Sequence, residues 1–351
     1  ELSNGKVLCP GEKGQGMSAP RMRLTLSTAP FLRSEQDTPW LMWQVVYALI
    51  PPIAASIYFF GLSSVLVLST AVFSCLLTEW YFPSEPNGMK GESLRDGSAL
   101  ITGLLLGLTL PPNMSLWMVA LGGVVAIGVG KILWGGLGQN IFNPALLGRA
   151  FLQAAFPTAI TTFSEPAKDF FSLSSSTLAL PLMKASSIDV ITSATPLSKM
   201  KFEKEGTELW SLLIGNTSGS LGETCAVLIL LSGLYLLVRG IIQWRIPAGI
   251  FLSVILFSGI LHLIKPDLYP SPIFMILSGG LLLGTFFMAT DLVTSPLTPK
   301  GCWFFGLGVG FLTVLIRVFG GLPEGMMYAI LLMNSVVPLI QRVSQQRVYG
   351  T

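Results

Sequence analysis

Charged residues are scarce in this chain: Asp, Glu, Lys and Arg together make up 11% of its 351 residues, against about 25% in soluble domains. Hydrophobic residues reach 51%, and the mean hydropathy is +0.68. This composition excludes the soluble globular class and indicates an integral membrane protein. The net charge of +3 is spread over short segments. It therefore forms no basic patch of the kind that binds nucleic acid.

Cysteine and histidine are also sparse. The four cysteines, Cys9, Cys75, Cys225 and Cys302, lie far apart and form no C-x-x-C pair. Neither a disulfide framework nor a thiolate metal site is predicted from such a pattern. The single histidine, His262, lies near the end of an apolar run, where an isolated imidazole is more typical of the membrane interface than of a ligand set.

The chain has instead a series of long, continuous apolar runs. Since about 20 helical residues cross the hydrocarbon core, and since these runs do not alternate as barrel strands do, helices are favoured. We therefore predict an all-α integral membrane protein with about ten transmembrane helices. The predicted spans are 41–60, 62–82, 98–110, 115–134, 141–157, 222–238, 247–264, 272–290, 301–319 and 325–341.

Two of the predicted spans are interrupted. The third, 98–110, is too short to cross alone and stops at Pro111-Pro112, and the fifth carries Asn143-Pro144 and Arg149. Broken backbone and polar side chains at membrane depth need a protected interior. We therefore expect both segments to be packed inside the helical bundle.

Lys and Arg residues beside short loops predict the orientation. With the N-terminus in the cytoplasm, these residues all lie on the cytoplasmic side: Arg21, Arg23, Arg33, Lys90, Arg95, Arg239, Arg245, Lys300, Arg342 and Arg347. Five regions follow, namely a cytoplasmic segment 1–40, a first membrane repeat 41–157, an extracytoplasmic loop 158–221, a second membrane repeat 222–341 and a cytoplasmic tail 342–351. The 158–221 loop is then expected to face the periplasm.

The two membrane regions share short sequence matches. Gly103–Gly107 and Gly280–Gly284 both read GLLLG, and Lys131–Gln139 (KILWGGLGQ) is echoed by Arg317–Glu324 (RVFGGLPE). The displacement is an odd number of spans, so we expect the two five-helix halves to be inverted relative to each other. Inverted repeats with broken helices are a transporter and channel architecture, with the functional site near the repeat interface.

The same match relates two basic residues, Lys131 and Arg317. Each could pair with a phosphate group or an anionic lipid. Each could equally extend its charged end to the membrane interface along its apolar stem.

A polar stretch, GGLGQNIFNPA, runs from Gly135 to Ala145 and is followed by Arg149. Its amide side chains supply hydrogen-bond donors and acceptors. Asn140 and Asn143 are three residues apart, so on a helical start their side chains would share one face. Two interpretations stay open: a polar pocket for a cofactor ring or an ion, or hydrogen bonding between helices alone.

Asp291, with Thr290 and Thr294 close by, is the only acidic residue between the eighth and ninth predicted spans. Carboxylate and hydroxyl oxygens suit a hard cation such as Na+. The alternative is that Asp291 is simply an acid at the interfacial end of a helix. The same two interpretations, a cation ligand or an interfacial helix-end acid, apply to Glu79 and Glu324.

The segment Asp189–Leu197, DVITSATPL, is a polar loop within the 158–221 region. Its spacing of Asp, two residues, Thr, a small residue, Ala and Thr resembles the flavinylation motif of the Rnf and Na+-NQR redox complexes. There, a flavin transferase joins FMN to the last threonine through a phosphoester. An ordinary Ser/Thr-rich loop has a similar composition.

Two further runs strengthen this resemblance. They are LRDGSALITG (Leu94–Gly103), followed by Leu110-Pro111-Pro112, and GQNIFNPALLGRAF (Gly138–Phe151). Together with Asp189–Leu197 they occur in the order seen in the RnfD membrane protein of the Rnf complex and in its homologue NqrB of Na+-NQR, and the resemblance covers the chain from about Met17 onward. The short N-terminal segment favours the RnfD type, although Ser193 stands where Gly is usual.

The resemblance implies a urea-transporter-like fold and a subunit of an ion-translocating ferredoxin:NAD+ oxidoreductase in the bacterial inner membrane. It implies covalent FMN on Thr195, a noncovalent riboflavin within the bundle, and Na+ or H+ as the coupling ion, with Asp291 as a candidate Na+ ligand. The implied partners are the other subunits, a flavin transferase and membrane lipid. The implied cofactor-binding residues are Thr195, Asp189, Thr192, Ser193, Ala194, Asn140, Asn143 and Arg149.

Three alternatives stay open on the sequence alone. NqrB of Na+-NQR belongs to the same family. A urea-type solute channel also has inverted repeats with broken helices, but it gives Thr195 no role. A purely structural scaffold subunit explains neither polar segment.

Overall fold

Helices dominate the part of the chain that the structure describes. The computed structural model describes residues 37–82, 93–166, 170–171, 177–180, 193–266 and 268–345. Within these ranges there is no extended strand, so the expected all-α class is confirmed. The predicted segment 1–40 lies almost wholly outside the described residues, and so do Asp189 and Thr192.

Most of the described α-helices follow the predicted apolar runs. They are α1 Thr38–Tyr81, α2 Ser98–Leu108, α3 Leu116–Gly128, α4 Pro144–Ala155, α5 Pro157–Thr161, α6 Pro196–Ser198, α7 Leu209–Ile214, α8 Ala226–Val238, α9 Arg245–Ile264, α10 Pro272–Leu277, α11 Leu281–Leu283, α12 Pro299–Phe319 and α13 Met326–Ser344. Two π-helical turns, Lys199–Glu203 and Gly284–Met288, continue α6 and α11.

Five of the described helical segments are long and apolar enough to cross a membrane: α1, α9, α12, α13, and α3 together with the turn that follows it to Trp134. α2 and α8 are apolar but shorter. These lengths agree with a membrane protein. The count of ten spans and the inversion of the two halves stay predictions.

α1 is 44 residues long and is broken at Gly61, where φ is 60° and ψ is −140°. A side chain rarely adopts this conformation, and a Cβ atom here would lie 2.4 Å from the Phe170 carbonyl oxygen. The Leu62 N–H donates to that same oxygen at 2.9 Å. α1 therefore consists of two helices that meet where the spans 41–60 and 62–82 were predicted to meet.

α2 ends at Leu108, close to the stop that Pro111-Pro112 predicts. Past its end, the carbonyls of Leu108 and Leu110 accept hydrogen bonds from the N–H groups of Gly222 (2.6 Å) and Leu221 (3.1 Å). Because lipid supplies no hydrogen-bond donors, a broken helix end needs such partners from the protein. The segment before α8 thus closes the broken helix of the first membrane region.

α4 packs against α2, α3 and α13, and the Arg149 side chain on it is 9% exposed. The expectation that this interrupted segment lies inside the bundle is confirmed. The helix is shorter than the predicted span 141–157, because Asn143 caps it and Pro144 occupies its first position, which is where Pro is favoured.

Candidate functional site

The Ser193-Ala194-Thr195 segment is tied to two neighbouring loops. The Ser193 N–H donates to the Phe163 carbonyl at 3.0 Å. The Ser193 hydroxyl donates to the Ser218 hydroxyl at 3.1 Å, and the latter donates to the Ala194 carbonyl at 2.8 Å. These hydrogen bonds therefore hold the described part of the predicted flavinylation motif against the segments that contain Phe163 and Ser218.

Thr195 is the N-cap residue of α6. Its Oγ1 accepts a hydrogen bond from the Ser198 N–H at 3.2 Å and lies 2.9 Å from the Ser198 hydroxyl oxygen. A threonine at this position satisfies a helix N–H that would otherwise lack a partner. The residue is only 5% exposed. Chemistry at this oxygen therefore requires the turn Thr195–Ser198 to open.

A wide cleft borders the motif. Its volume is about 1270 Å³, more than the usual 300–1,000 Å³ or so of a small-molecule pocket. Ser193, Ala194 and Pro196 lie along it, and it also has aromatic and charged walls. The side chains of those walls are Tyr58, Phe59, Phe170, Lys199 and Glu165. Aromatic faces are suited to stacking against a flat ring.

A second cavity brings together three residues that the sequence singled out separately. Asn140, Asn143 and Asp291 all line it, and its volume is about 80 Å³, which is room for several water molecules. The Asn140 Oδ1 atom is buried and accepts no hydrogen bond from any described group. One amide oxygen among the residues that line this cavity therefore lacks a hydrogen-bond donor in the described part of the chain.

In Asn143, by contrast, both the oxygen and the nitrogen of the side-chain amide are hydrogen-bonded to backbone groups. Its Oδ1 accepts from the N–H groups of Ala145 (3.1 Å) and Leu146 (3.3 Å), which caps α4, and its Nδ2 donates to the Met288 carbonyl at 3.3 Å. Asn140 precedes the helix, so the expectation of two amides on one helical face is wrong. The two side chains nevertheless line the same cavity.

Asp291 lies in the loop between the Gly284–Met288 turn and α12. Its Oδ2 accepts from the Thr294 hydroxyl at 3.1 Å, and its Oδ1 accepts from the Val293 N–H at 3.4 Å. Burial raises the pKa of this carboxyl above its usual value. The described residues contain no group of three His, Cys, Asp or Glu that could hold a metal ion. A cation here would therefore rely on one carboxylate together with amide and hydroxyl oxygens.

Lys131 is buried, with 2% of its side chain exposed. Its ammonium group donates to Glu79 Oε1 and to the Ser98 hydroxyl, both at 2.5 Å, and lies 3.8 Å from Asp96 Oδ2. The interpretation in which Lys131 extends to the membrane interface is therefore wrong. Glu79 lies in the last turn of α1, as the helix-end alternative expects, but it is 0% exposed and forms an ion pair with Lys131.

Arg149 lines a third, smaller cavity, separate from the one that contains Asn140. There it forms an ion pair with Glu324, and Glu223 lies beside them. Arg317 is nearby and also buried. Its guanidinium donates to the carbonyls of Met275 (2.5 Å) and Ser278 (3.0 Å). The interfacial interpretation of Arg317 is thus wrong as well.

Sequence reasoning missed Glu223. The signal that could have found it is its charge at the start of an apolar run, in the sequence GETCAVLILL. Ionisable residues near the bilayer interior are rare and usually functional.

The fold and these polar cavities define a helical membrane protein with internal polar sites. The chain belongs to the NQR2, RnfD, RnfE family, which it matches over residues 25–350. The expected family membership is therefore confirmed.

Similar proteins cover almost the full chain. The D subunit of the proton-translocating ferredoxin:NAD(+) oxidoreductase complex of Clostridium ljungdahlii is 39% identical, over 93% of this chain and 96% of its own length. The D subunit of the Na(+)-translocating ferredoxin:NAD(+) oxidoreductase complex of Acetobacterium woodii is also 39% identical, over 94% and 96%. The D subunit of the ion-translocating oxidoreductase complex of Stutzerimonas stutzeri is 38% identical, over 91% and 93%. The first two names differ in the ion at equal identity, so overall similarity does not decide between Na+ and H+.

Proposed function

We propose that this chain is the membrane subunit of an electron-transfer complex that couples electron flow between ferredoxin and NAD+ to Na+ or H+ translocation. The family match and the names of the relatives support this assignment. The complex is a translocase of the bacterial inner membrane, and the other subunits of the complex are the partners of the chain. NqrB of the Na+-translocating NADH:quinone reductase is the alternative within the same family.

In this proposal the chain has ten spans in two inverted halves, with both termini in the cytoplasm. The 158–221 loop then faces the periplasm and carries Thr195. An impermeant maleimide added to intact cells tests this sidedness. It should label a cysteine introduced beside Thr195 and leave one introduced beside Arg347 unlabelled, and the reverse pattern would invert the topology.

Thr195 carries covalent FMN in this proposal. The observation that supports it is a threonine hydroxyl at the head of α6, beside a cleft with aromatic walls. A flavin transferase attaches FMN at Thr195 Oγ1, which loses its proton as its bond to the phosphorus forms and the leaving group of the flavin donor departs. Bound FMN would supply one-electron and two-electron redox chemistry.

This chain's own residues would position the group. Tyr58, Phe59 and Phe170 offer faces for a flat ring, and Lys199 offers a cation beside a phosphoester. Since Thr195 Oγ1 is buried in its N-cap contacts, we infer that the transferase acts while the turn at Thr195–Ser198 is open.

The Asn140–Asp291 cavity favours an ion over a flavin ring. A volume of about 80 Å³ holds several waters, and the side-chain oxygens of Asn140 and Asp291 suit a hard cation. Lys131 also lines the cavity, and its ammonium group is bound to Glu79 and Ser98. A noncovalent riboflavin, which the family resemblance implies, would need a wider space than this cavity offers in the present conformation.

The flavin assignment is tested by fluorescence of the denatured subunit on a gel under ultraviolet light. Thr195→Val keeps the shape of the side chain but lacks the oxygen, so its fluorescence should be lost. Ser198→Ala is the matched control, because it removes the hydroxyl that contacts Thr195 Oγ1 and leaves Thr195 itself unchanged. Fluorescence that survives in Thr195→Val would refute the assignment. A dark wild-type band would likewise refute covalent flavin on this subunit.

A further inference from the structure

A small cavity lies beside α4, next to the segments that precede α8 and α13. Its volume is about 20 Å³, which is room for about one or two water molecules. The polar residues that line it are Arg149, Glu223, Glu324, Ser220 and Thr109. α4 and the Gly284–Met288 turn separate it from the Asn140–Asp291 cavity, since Asn143 lines the latter and bonds to Met288, which lines the former.

Two carboxyl groups face each other in this cavity. Glu223 and Glu324 both line the cavity, and both approach the backbone of Gly280: Glu324 Oε1 accepts from its N–H at 3.4 Å, and Glu223 Oε1 lies 3.2 Å from the position of a Cβ atom built on it. An ionised carboxylate can only accept hydrogen bonds, so two ionised groups would repel each other and leave the contact without a proton. Two carboxyls that share a site hold one proton between them far more readily than either does alone.

The surrounding contacts indicate which carboxyl holds that proton. Glu324 accepts from the Arg149 guanidinium and from the Gly280 N–H at 3.4 Å, and both donors stabilise its ionised form. Among the described residues Glu223 has no ion pair, and its Oε1 is buried without a hydrogen-bond donor. Arg317 donates its hydrogen bonds to the backbone carbonyls of Met275 and Ser278, not to either carboxyl. The proton therefore belongs on Glu223.

A water molecule fits the remaining space better than a metal cation does. Arg149 is 7% exposed, and its Nε–H has no acceptor among the described groups, although the side chain lines this cavity. A hydrogen-bond donor on a positive group repels a metal cation but suits the oxygen of a water. Polar cavities of this size commonly hold water that satisfies such atoms.

We propose that Glu223 is a proton-binding site inside the membrane domain, neutral when it donates a hydrogen bond to Glu324 and able to exchange its proton with a water in the cavity. The site is distinct from the Asn140–Asp291 cavity. It does not depend on whether Thr195 carries a flavin.

Infrared spectroscopy of the purified complex tests this directly, because a protonated carboxylic acid has a C=O stretch well separated from ionised carboxylate bands. The difference spectrum between wild type and Glu223→Gln at neutral pH should contain this band, and the band should shift on exchange into deuterated water. Gln keeps the shape of the side chain and a donor toward Glu324, so this variant should accumulate normally. Glu205→Gln, at an exposed glutamate, is the matched control and should leave the band intact.

Two further measurements distinguish a bound proton from a bound metal cation. Raising the Na+ concentration at constant pH should leave the band unchanged, and raising the pH should remove it. Glu324→Gln should also remove the band, because Glu223 then becomes the carboxylate nearest to Arg149 and ionises. The proposal is overturned if the band is missing at neutral pH, or if added Na+ removes it.

Discussion

The two membrane regions each bury a basic side chain at the position that the sequence match relates, but they treat it differently. Around Lys131 the ammonium donates to Glu79 and Ser98 and lies 3.8 Å from Asp96 Oδ2. Around Arg317 the guanidinium binds backbone carbonyls, and its Nε–H has no partner among the described groups. Burial of a charged side chain is therefore not sufficient to identify a functional site.

The Lys131 cluster can be called structural because its ammonium is bound to Glu79 and Ser98 and lies near Asp96. The cluster of Arg149, Glu223 and Glu324 has a cavity, a carboxyl without an ion pair and a donor without an acceptor among the described residues. Unsatisfied polar atoms are costly in an apolar interior, and they are retained where an ion, a water or a proton uses them. The two clusters should therefore differ in how much stability they lose when one partner is removed.

Breaking the Lys131 cluster should have the largest effect. Glu79→Gln leaves a buried ammonium without its contacting carboxylate, which costs about 3–5 kcal/mol when one partner of a buried ion pair is removed. The variant should fail to accumulate in the membrane, as measured by immunoblot of membrane fractions. The double change Glu79→Leu with Lys131→Met should restore accumulation, because apolar replacement of a whole buried pair is often neutral. If the double change fails as badly as Glu79→Gln, the loss of accumulation does not come from an unpaired buried ammonium.

Breaking the Arg149–Glu324 pair should cost less. In Glu324→Gln the guanidinium keeps a second carboxylate close by, because Glu223 can ionise and take over, and the small cavity can admit water. We expect the subunit to accumulate, unlike Glu79→Gln, with a melting temperature in detergent below that of the wild type. If Glu324→Gln fails to accumulate as completely as Glu79→Gln, the two clusters do not differ in how much stability they lose when one partner is removed.

Several features of the fold could be predicted from sequence because their causes are local. The stop after α2 follows from Pro111-Pro112, and the start of α4 follows from Asn143-Pro144. The partners of the buried charges could not be predicted, because Arg149 and Glu324 are 175 positions apart. Spacing along the chain carries no information on such a pair.

The candidate sites show the same limit. The motif at Thr195 is visible in the sequence, but the burial of its hydroxyl depends on tertiary packing that no local pattern encodes. The convergence of Asn140 and Asp291 on one cavity was not predicted either, because the loop that carries each residue is positioned by a different helix.

Asn143 should have a smaller effect on stability than either ion pair. Asn143→Leu removes the N-cap of α4 and the contact with the Met288 carbonyl, and loss of an N-cap costs about 1 kcal/mol. Asn143→Ser is the control, because serine keeps a capping oxygen and loses only the contact with Met288. The melting temperature of the Leu variant should lie below that of the Ser variant. Equal melting temperatures would show that the cap contributes nothing.

Asn140 should have the smallest effect on stability and a large effect on transport. Its Nδ2 makes one local bond, to the Phe142 carbonyl at 3.3 Å, and its Oδ1 is free to face the cavity. Asn140→Leu should therefore leave accumulation and the fluorescence of the Thr195 adduct unchanged. Asn143→Ser again serves as the matched control, since it alters the neighbouring amide that the fold already uses.

The most direct test of the account is ion uptake into inverted membrane vesicles during ferredoxin-driven NAD+ reduction, measured for wild type, Asn140→Leu and Asn143→Ser. If the Asn140–Asp291 cavity carries the ion, Asn140→Leu should lower uptake by about tenfold, which corresponds to about 1.4 kcal/mol, and Asn143→Ser should stay close to wild type. Normal uptake in an Asn140→Leu subunit that accumulates and carries its flavin would contradict the account.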